Sequence, residues 1–143
     1  MKTIAKQENV HVSPRKAKLV VDLIRNQKVT KAVTILQNTQ KKSAPILLKL
    51  LNSAVSNAIN NHAMDASKLY VYEVFANEGP TWKRQITRAK GSADRLFKRT
   101  THFKIVLSDD YNERINDLNK IKEIIKKRAQ NNSKNKDLVK EGE

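Results

Sequence analysis

One long segment of this chain is unable to form a hydrophobic core. Residues 79–104 hold eight basic residues and one acidic residue, and apolar side chains do not alternate regularly along them. Two runs rich in β-branched and aromatic residues, 69–75 and 102–107, flank the segment and are typical of strands. The simplest geometry is a long antiparallel hairpin whose base belongs to a domain. Its arm, at about residues 76–104, projects outward.

Such an arm is unstable by itself. A two-stranded ribbon without a hydrophobic face is marginal in water, and crowded cations repel one another. A single strand from Leu69 to Thr87 would reach roughly 60 Å at about 3.3 Å per residue, far more than a usual strand. The arm therefore requires a surrounding polyanion to order it. Its distal cations are Lys83, Arg84, Arg88, Lys90, Arg95, Lys98 and Arg99.

The charge of the whole chain also favours a polyanionic partner. Lys and Arg total 29 against 14 acidic residues, which gives a net charge of +15. Half of the arginines, Arg84, Arg88, Arg95 and Arg99, lie in the arm of a chain that otherwise prefers lysine. Because the guanidinium fork binds phosphate or a guanine edge bidentately, this placement favours nucleic-acid binding over a merely solvated loop.

Other classes of function find little support. The chain has no cysteine, which excludes disulfides and thiolate metal sites and is consistent with the cytoplasm. His11, His62 and His102 lack metal-ligand spacing, and the three glycines form no phosphate-binding loop. No run reaches the roughly 20 apolar residues of a membrane span. We expect no catalytic residues, no metal and no cofactor.

Three segments have helical periodicity. Ser13 and Pro14 predict the start of the first, with serine as a side-chain cap and proline at the first position. Thr30 is a candidate cap for a shorter second helix. Ser43 is one for the third, whose apolar residues recur at helical spacing over residues 47–59. With the strand runs, this predicts an α+β fold: three helices packed on a small antiparallel sheet, with a long extended β-hairpin arm.

The C-terminal part differs in character. Residues 105–143 hold nine basic and eight acidic residues, so they contribute almost no net charge. Four apolar residues recur there at helical spacing: Ile115, Leu118, Ile121 and Ile125. The expected organisation is one domain over residues 1–109, which includes the arm, and a C-terminal extension over residues 110–143. The extension is expected to form an amphipathic helix at about 113–129, followed by a disordered tail.

Several side chains allow two interpretations. Arg15, Lys16 and Lys18 on the first helix either contact phosphates or are simply solvated. Trp82, the only tryptophan, either stacks on a base or packs across the strands. The aromatic residues of the first strand run are expected to be core residues, because the RNA-recognition-motif signature is absent.

Two further functions remain open on these residues. An architectural DNA-binding protein also inserts a β-ribbon into a groove. Such proteins are usually dimers, so mass measurement with duplex-DNA binding would distinguish them. Binding to a membrane surface through residues 114–128 is less favoured, because acidic residues are interspersed there.

The chain resembles the bacterial large-subunit ribosomal protein twenty-two family, the universal exit-tunnel protein, over about residues 2–109. The similarity rests on an ordered series of motifs: Ser13-Pro14-Arg15-Lys16-Ala17, Asn77-Glu78-Gly79-Pro80, Lys83-Arg84, Arg88-Ala89-Lys90-Gly91, Ala93-Asp94-Arg95 and Lys98-Arg99-Thr100-Thr101-His102.

The resemblance implies a structural constituent of the large ribosomal subunit that binds 23S rRNA and supports subunit assembly. It implies that the hairpin lines the polypeptide exit tunnel. The expected partners are 23S rRNA, neighbouring large-subunit proteins and the passing nascent polypeptide, with no membrane and no homo-oligomer. It also implies a hairpin tip at Thr87, Arg88, Ala89, Lys90 and Gly91. The expected RNA-binding residues are Arg15, Lys16, Lys18, Trp82, Lys83, Arg84, Arg88, Lys90, Arg95, Lys98, Arg99 and His102.

Overall fold

The computed structural model describes the backbone of residues 1–140, and the side chains within that range apart from 113, 114 and 129–140. The chain divides into two units, Met1–Asp109 and a second that begins at Asp110. Within the described part, no helix is long and apolar enough to cross a membrane.

A three-stranded antiparallel sheet forms the base of the first unit. Its strands are β1 (Lys2–Val10), β2 (Tyr70–Glu78) and β5 (Thr101–Ser108), with β5 in the middle. Near its end β1 contains a bulge, where Asn9 adopts a left-handed φ of 55° that asparagine tolerates better than most residues. Both strand runs predicted from the sequence are therefore confirmed.

Three helices pack on this sheet: α1 (Pro14–Ile24), α2 (Val29–Asn38) and α3 (Ala44–His62). Helix α3 lies against β1 and β5, and α1 lies against β2, which confirms the predicted α+β fold. The core between them is aliphatic, with Phe103 as its one large aromatic side chain among the described residues. Tyr70 and Tyr72 are also buried, but they form a separate cluster with Val106.

The predicted side-chain caps are wrong. Ser13 and Ser43 precede α1 and α3, but neither side chain makes a capping hydrogen bond. Thr30 lies inside α2, which begins at Val29. At α1 the carbonyl of Ser13 instead accepts backbone N–H groups of the first turn, and the proline at the helix start has no N–H to satisfy.

The arm is a ribbon distinct from the base sheet. Strands β3 (Trp82–Thr87) and β4 (Ala93–Lys98) pair only with each other, in a separate two-stranded sheet. The continuous strand considered from the sequence is therefore interrupted at residues 79–81, before β3, and again at 99–100, after β4. Each distal strand has six residues, a reach of roughly 20 Å at 3.3 Å per residue.

The second unit contains one helix, α4 (Tyr111–Lys140). It continues beyond the predicted end at about residue 129, so the segment 130–140 is helical where a disordered tail was expected. Neither proline nor glycine occurs between residues 111 and 140 to end the helix. Residues 141–143 lie outside the described part.

The two ends of the first unit are joined by an ion pair. The Met1 ammonium lies 2.6 Å from Oδ1 of Asp109, beside the paired residues Lys2 and Ser108 of β1 and β5. The hydrogen bond from the ammonium lowers the pKa of the Asp109 carboxyl below its ordinary value. The ion pair therefore stabilises the fold at pH values above the ordinary aspartate pKa. This stabilisation is lost as the pH falls through the lowered pKa of Asp109.

Gly79 lies at the junction between base sheet and arm. Its N–H donates to the carbonyl of Thr100 at 3.0 Å, and the Thr100 hydroxyl donates to the carbonyl of Pro80 at 2.7 Å. An ideal Cβ at position 79 would lie 2.5 Å from Oγ1 of Thr100 and 3.0 Å from Nε2 of His102. Only glycine fits this approach without moving its neighbours.

We expect Gly79→Ala to lower the free energy of unfolding by about 1–3 kcal/mol, because the methyl group overpacks this junction. Urea denaturation followed by circular dichroism measures the change. Adding Thr100→Ala removes the nearest atom, so the double variant should lose less stability than the two single losses combined. A Gly79→Ala variant as stable as the wild type would contradict the close packing.

Candidate nucleic-acid interface

The pairing register divides the side chains of the ribbon between two faces. Directly paired residues of antiparallel strands point to the same side. One face therefore holds the pairs Trp82 with Lys98, Arg84 with Leu96 and Ile86 with Asp94. The opposite face holds the remaining three pairs: Lys83 with Phe97, Gln85 with Arg95 and Thr87 with Ala93.

The two faces differ in chemistry. The first carries a diagonal of apolar side chains, Trp82, Leu96 and Ile86, each 40–45% exposed. The second carries Lys83 and Arg95 without an acidic neighbour in the register. Apolar side chains alternate along neither strand, as the sequence indicated; the diagonal forms only when both strands are combined.

The tip of the ribbon is a tight turn at Ala89–Gly91. Lys90 and Gly91 both adopt left-handed φ angles, 59° and 73°. The Arg88 Nε donates to Oδ2 of Asp94 at 2.8 Å, and both side chains are more than half exposed. An exposed pair of this kind contributes little to stability, so the guanidinium can exchange this partner for another anion.

The base of the ribbon contacts the loop that precedes α1. The rings of Trp82 and His11 meet edge to face, with centroids 4.8 Å apart. The Arg84 guanidinium carbon lies 5.9 Å from the centre of the indole ring, within the range of a cation–π contact. Trp82 nevertheless remains 45% exposed, so part of the indole surface is free for a further contact.

Two cationic surfaces meet where α1 begins. Arg15 of α1 and Arg99 of the arm line one concavity, together with Ser13, Pro14 and Glu78. A second concavity shares Ser13 with the first and is lined by Lys16 together with His11, Lys41 and Lys42. Residues distant in the sequence therefore form one basic surface at the base of the arm.

The sequence interpretation assigned no binding role to Lys41 and Lys42 individually. The available signal was the Lys-Lys pair directly before a predicted helix start, since a helix N-terminus attracts anions. Lys18, which it did assign, is exposed on α1 but lines neither of these two concavities.

His102 contacts other residues of the domain. It is half-buried on β5, and its Nδ1 accepts the backbone N–H of Asn9 at the β1 bulge. Its Nε2 would lie 3.0 Å from a Cβ added at Gly79. The ring also lines a concavity with two lysines and two glutamates, Lys6, Glu8, Glu78 and Lys104.

The described residues contain no group of three or more histidine, cysteine, aspartate or glutamate side chains that could hold a metal ion. In the same part of the chain, every buried side-chain oxygen or nitrogen has a hydrogen-bond partner.

This architecture defines a class: a small α+β domain that carries a projecting cationic β-ribbon and a basic surface at the ribbon's base. The chain belongs to the ribosomal protein L22p/L17e family, whose sequence model matches residues 5–108. It is thus a ribosomal protein, in agreement with the resemblance seen in its motifs.

Relatives in several mycoplasmas carry the name large ribosomal subunit protein uL22. The protein of Malacoplasma penetrans is 63% identical over 132 residues, which cover 92% of this chain and 98% of the relative. That of Mycoplasmoides gallisepticum is 57% identical over 97% of this chain and 96% of its own length. That of Mycoplasmopsis pulmonis is 53% identical over 109 residues, which are 76% of this chain but 99% of the relative.

These lengths separate the family core from the extension. The family model ends at residue 108, one residue before the end of the first unit. The match to the Mycoplasmoides gallisepticum protein spans 139 residues and therefore includes most of α4. The shorter Mycoplasmopsis pulmonis relative is matched almost completely by 109 residues. Some relatives therefore share residues that follow the first unit, whereas others are matched almost completely without them.

We expect His11→Ala to loosen the contact at the base of the arm. An aromatic pair contributes about 0.5–1.5 kcal/mol when packed, and less where the rings are exposed, so global stability should change little. Because Trp82 is the only tryptophan, its fluorescence reports this contact directly. Acrylamide quenching should increase in His11→Ala and stay unchanged in the control His62→Ala. Equal quenching in all three proteins would show that the contact does not persist in solution.

Proposed function

We propose that this chain is a structural constituent of the large ribosomal subunit, that it binds 23S rRNA and supports subunit assembly, and that its β-ribbon lines the polypeptide exit tunnel. Its location is then the large subunit in the cytoplasm. Its role is architectural, with no catalytic step. Family membership and the names of its relatives support the large subunit; the geometry of the ribbon supports the finer assignment.

The observation that carries the proposal is the exposure of the whole ribbon. Every residue from 82 to 99 is exposed, and the seven cations of this stretch outnumber its single acidic residue, Asp94. Apolar and aromatic side chains in this state are costly in water and favourable against bases and sugars. Folded RNA supplies both the negative charge and the stacking surfaces that such a ribbon lacks.

The two faces suit a ribbon that separates RNA from a passage. The face with Lys83 and Arg95 matches a phosphate backbone. The face with Trp82, Ile86 and Leu96 also carries Arg84, Lys98 and Asp94, a net charge of +1, and would offer a nascent polypeptide its apolar diagonal. Thr87–Gly91, the tip residues, would then reach furthest along the tunnel wall.

The partners proposed for the rest of the chain follow from its exposed surfaces. Arg15, Lys16 and Lys18 add domain contacts to rRNA. Exposed isoleucines of α4, including Ile115, Ile121 and Ile125, are suited to a neighbouring ribosomal protein. Within the subunit the chain acts as a single copy, since RNA and not a second copy orders the arm.

Charge reversal in the arm should weaken rRNA binding and flatten its salt dependence. Each lost phosphate contact removes about 0.7–0.9 from the slope of log K against log salt, so Arg84→Glu, Arg88→Glu and Lys90→Glu together should lower the slope by about 2–3. Filter binding of the full chain to 23S rRNA, repeated over a range of salt concentrations, measures this change.

The matched control places the same charge change on α4, at Lys120, Lys122 and Lys126, whose side chains are exposed. It should keep a slope close to that of the wild type. An unchanged slope in the arm variant would remove the ribbon from the binding surface. Stable dimers that bind duplex DNA and do not sediment with large subunits at high salt would instead favour an architectural DNA-binding protein.

Removal of residues 112–143 should leave rRNA affinity within about twofold of the wild type, because these residues carry nine basic and six acidic residues and so hold only +3 of the net charge of +15. The nearly complete match of the Mycoplasmopsis pulmonis relative to 109 residues supports this expectation. The same binding assay measures it. A loss of tenfold or more would place the extension within the RNA-binding surface.

A further inference from the structure

The two outer edges of the base sheet differ in how their backbone groups are covered. Because β5 lies in the middle, β1 and β2 each have one edge without a neighbouring strand. At β2 the segment after α1 covers this edge. The Asn26 N–H donates to the Val71 carbonyl at 3.2 Å, and the Val71 N–H donates to the Gln27 carbonyl at 2.9 Å. Further along, the Arg25 guanidinium donates to the carbonyl of Val74 at 3.4 Å.

The corresponding edge of β1 has no such cover. Apart from β5, no strand or backbone hydrogen bond of the described residues reaches Thr3–Gln7. Thr3 and Ala5 are only 3% and 6% exposed. Because buried backbone groups are almost always hydrogen-bonded, these two residues direct their N–H and C=O groups to β5. Alternate residues of a strand face opposite neighbours, so Ile4 and Lys6 direct theirs away from the sheet.

The side chains at this edge define the charge of a partner. Lys6 is paired directly with Lys104 of β5, and like charges in this position destabilise a sheet. Glu8 and Glu78 line a concavity with both lysines, yet neither ammonium forms an ion pair with a carboxylate among the described residues. Ile4 is 48% exposed. The edge therefore presents unpaired positive charge beside an apolar side chain.

Of the macromolecules that could cover this edge, an extended protein segment fits best. Phosphates of RNA accept hydrogen bonds but donate none to the outward carbonyls of Ile4 and Lys6. A second copy of β1 is unsuitable, because antiparallel pairing centred on Ile4 would place Lys2 of each copy opposite Lys6 of the other. A strand from another protein supplies alternating donors and acceptors and can carry the opposite charge.

We propose that the free edge of β1 binds an extended acidic segment of a neighbouring protein as a fourth strand of the base sheet. The segment carries a carboxylate opposite Lys6 and an apolar side chain opposite Ile4. Its main-chain hydrogen bonds supply the affinity, and these two side chains supply the selectivity. The proposal goes beyond rRNA binding and does not depend on it.

The test uses a synthetic peptide, acetyl-TETVTET-amide, whose glutamates and valine share one face of a strand. Its symmetric pattern serves either strand direction. Titration of the full chain, followed by amide NMR, should give saturable shifts at Ile4 and Lys6. A control peptide with lysine in place of both glutamates should bind about tenfold more weakly or worse, because attractive cross-strand pairs become repulsive.

Backbone methylation of the peptide separates strand addition from attraction between charges. One peptide is N-methylated at the glutamates and valine, and another at the central threonines. Alternate amides of a strand point to opposite edges, so only one of the two methylated peptides should lose binding. Loss with the first peptide indicates antiparallel pairing, and loss with the second indicates parallel pairing.

A charge reversal in the protein tests the proposed role of Lys6. Lys6→Glu should weaken binding of the glutamate peptide about fivefold and strengthen binding of the lysine peptide. The control Lys28→Glu makes the same charge change at an exposed residue beside the covered edge of β2 and should match the wild type. Because Lys6→Glu places a carboxylate opposite Lys104, it should not destabilise the fold, which circular dichroism checks.

Each other outcome contradicts the proposal. No saturable shift at Ile4 and Lys6 would show that the edge takes no strand, and rRNA binding would be unaffected by that result. Equal affinity for the two methylated peptides would reduce the interaction to charge alone. If 23S rRNA displaces the peptide, and Lys6→Glu binds rRNA more weakly than Lys28→Glu does, the edge contacts RNA and the proposed protein partner is wrong.

Discussion

Two paired strands by themselves are unable to remove their side chains from water, and this constraint governs the whole chain. In the ribbon of β3 and β4 both faces are exposed, and seven cations in residues 82–99 repel one another against a single carboxylate. Such a ribbon becomes ordered only when a partner buries its side chains and neutralises its positive charge. The domain, by contrast, has an aliphatic core, which makes it a rigid base for the ribbon.

The junction between the two parts is correspondingly tight. Gly79 lets the chain pass within contact distance of Thr100 and His102, and two hydrogen bonds tie the departing strand to the returning one. Trp82 then rests against His11 at the first residue of β3. These contacts fix the direction in which the ribbon leaves the sheet, although they bury little of the ribbon itself.

Basic side chains of the domain also lie at this junction. Arg15 and Arg99, 84 positions apart in the sequence, line one concavity, and Lys16 lines the next with Lys41 and Lys42. A partner that orders the ribbon therefore meets a continuous basic surface at its base. Placing cations on the rigid domain costs less conformational entropy on binding than placing all of them on the arm.

The sequence by itself determined the class of fold, the hairpin arm and its cationic character, because periodicity, β-branched runs and charge segregation are local properties of the chain. It also carried the family motifs from Ser13 to His102. Only the tertiary structure decided which residues act together. The apolar diagonal of Trp82, Leu96 and Ile86 depends on a strand register, and the concavity beside Ser43 depends on two loops that meet across the domain. The helix caps were misjudged for a related reason: a serine before a helix can cap it or face a concavity, and local composition does not distinguish the two.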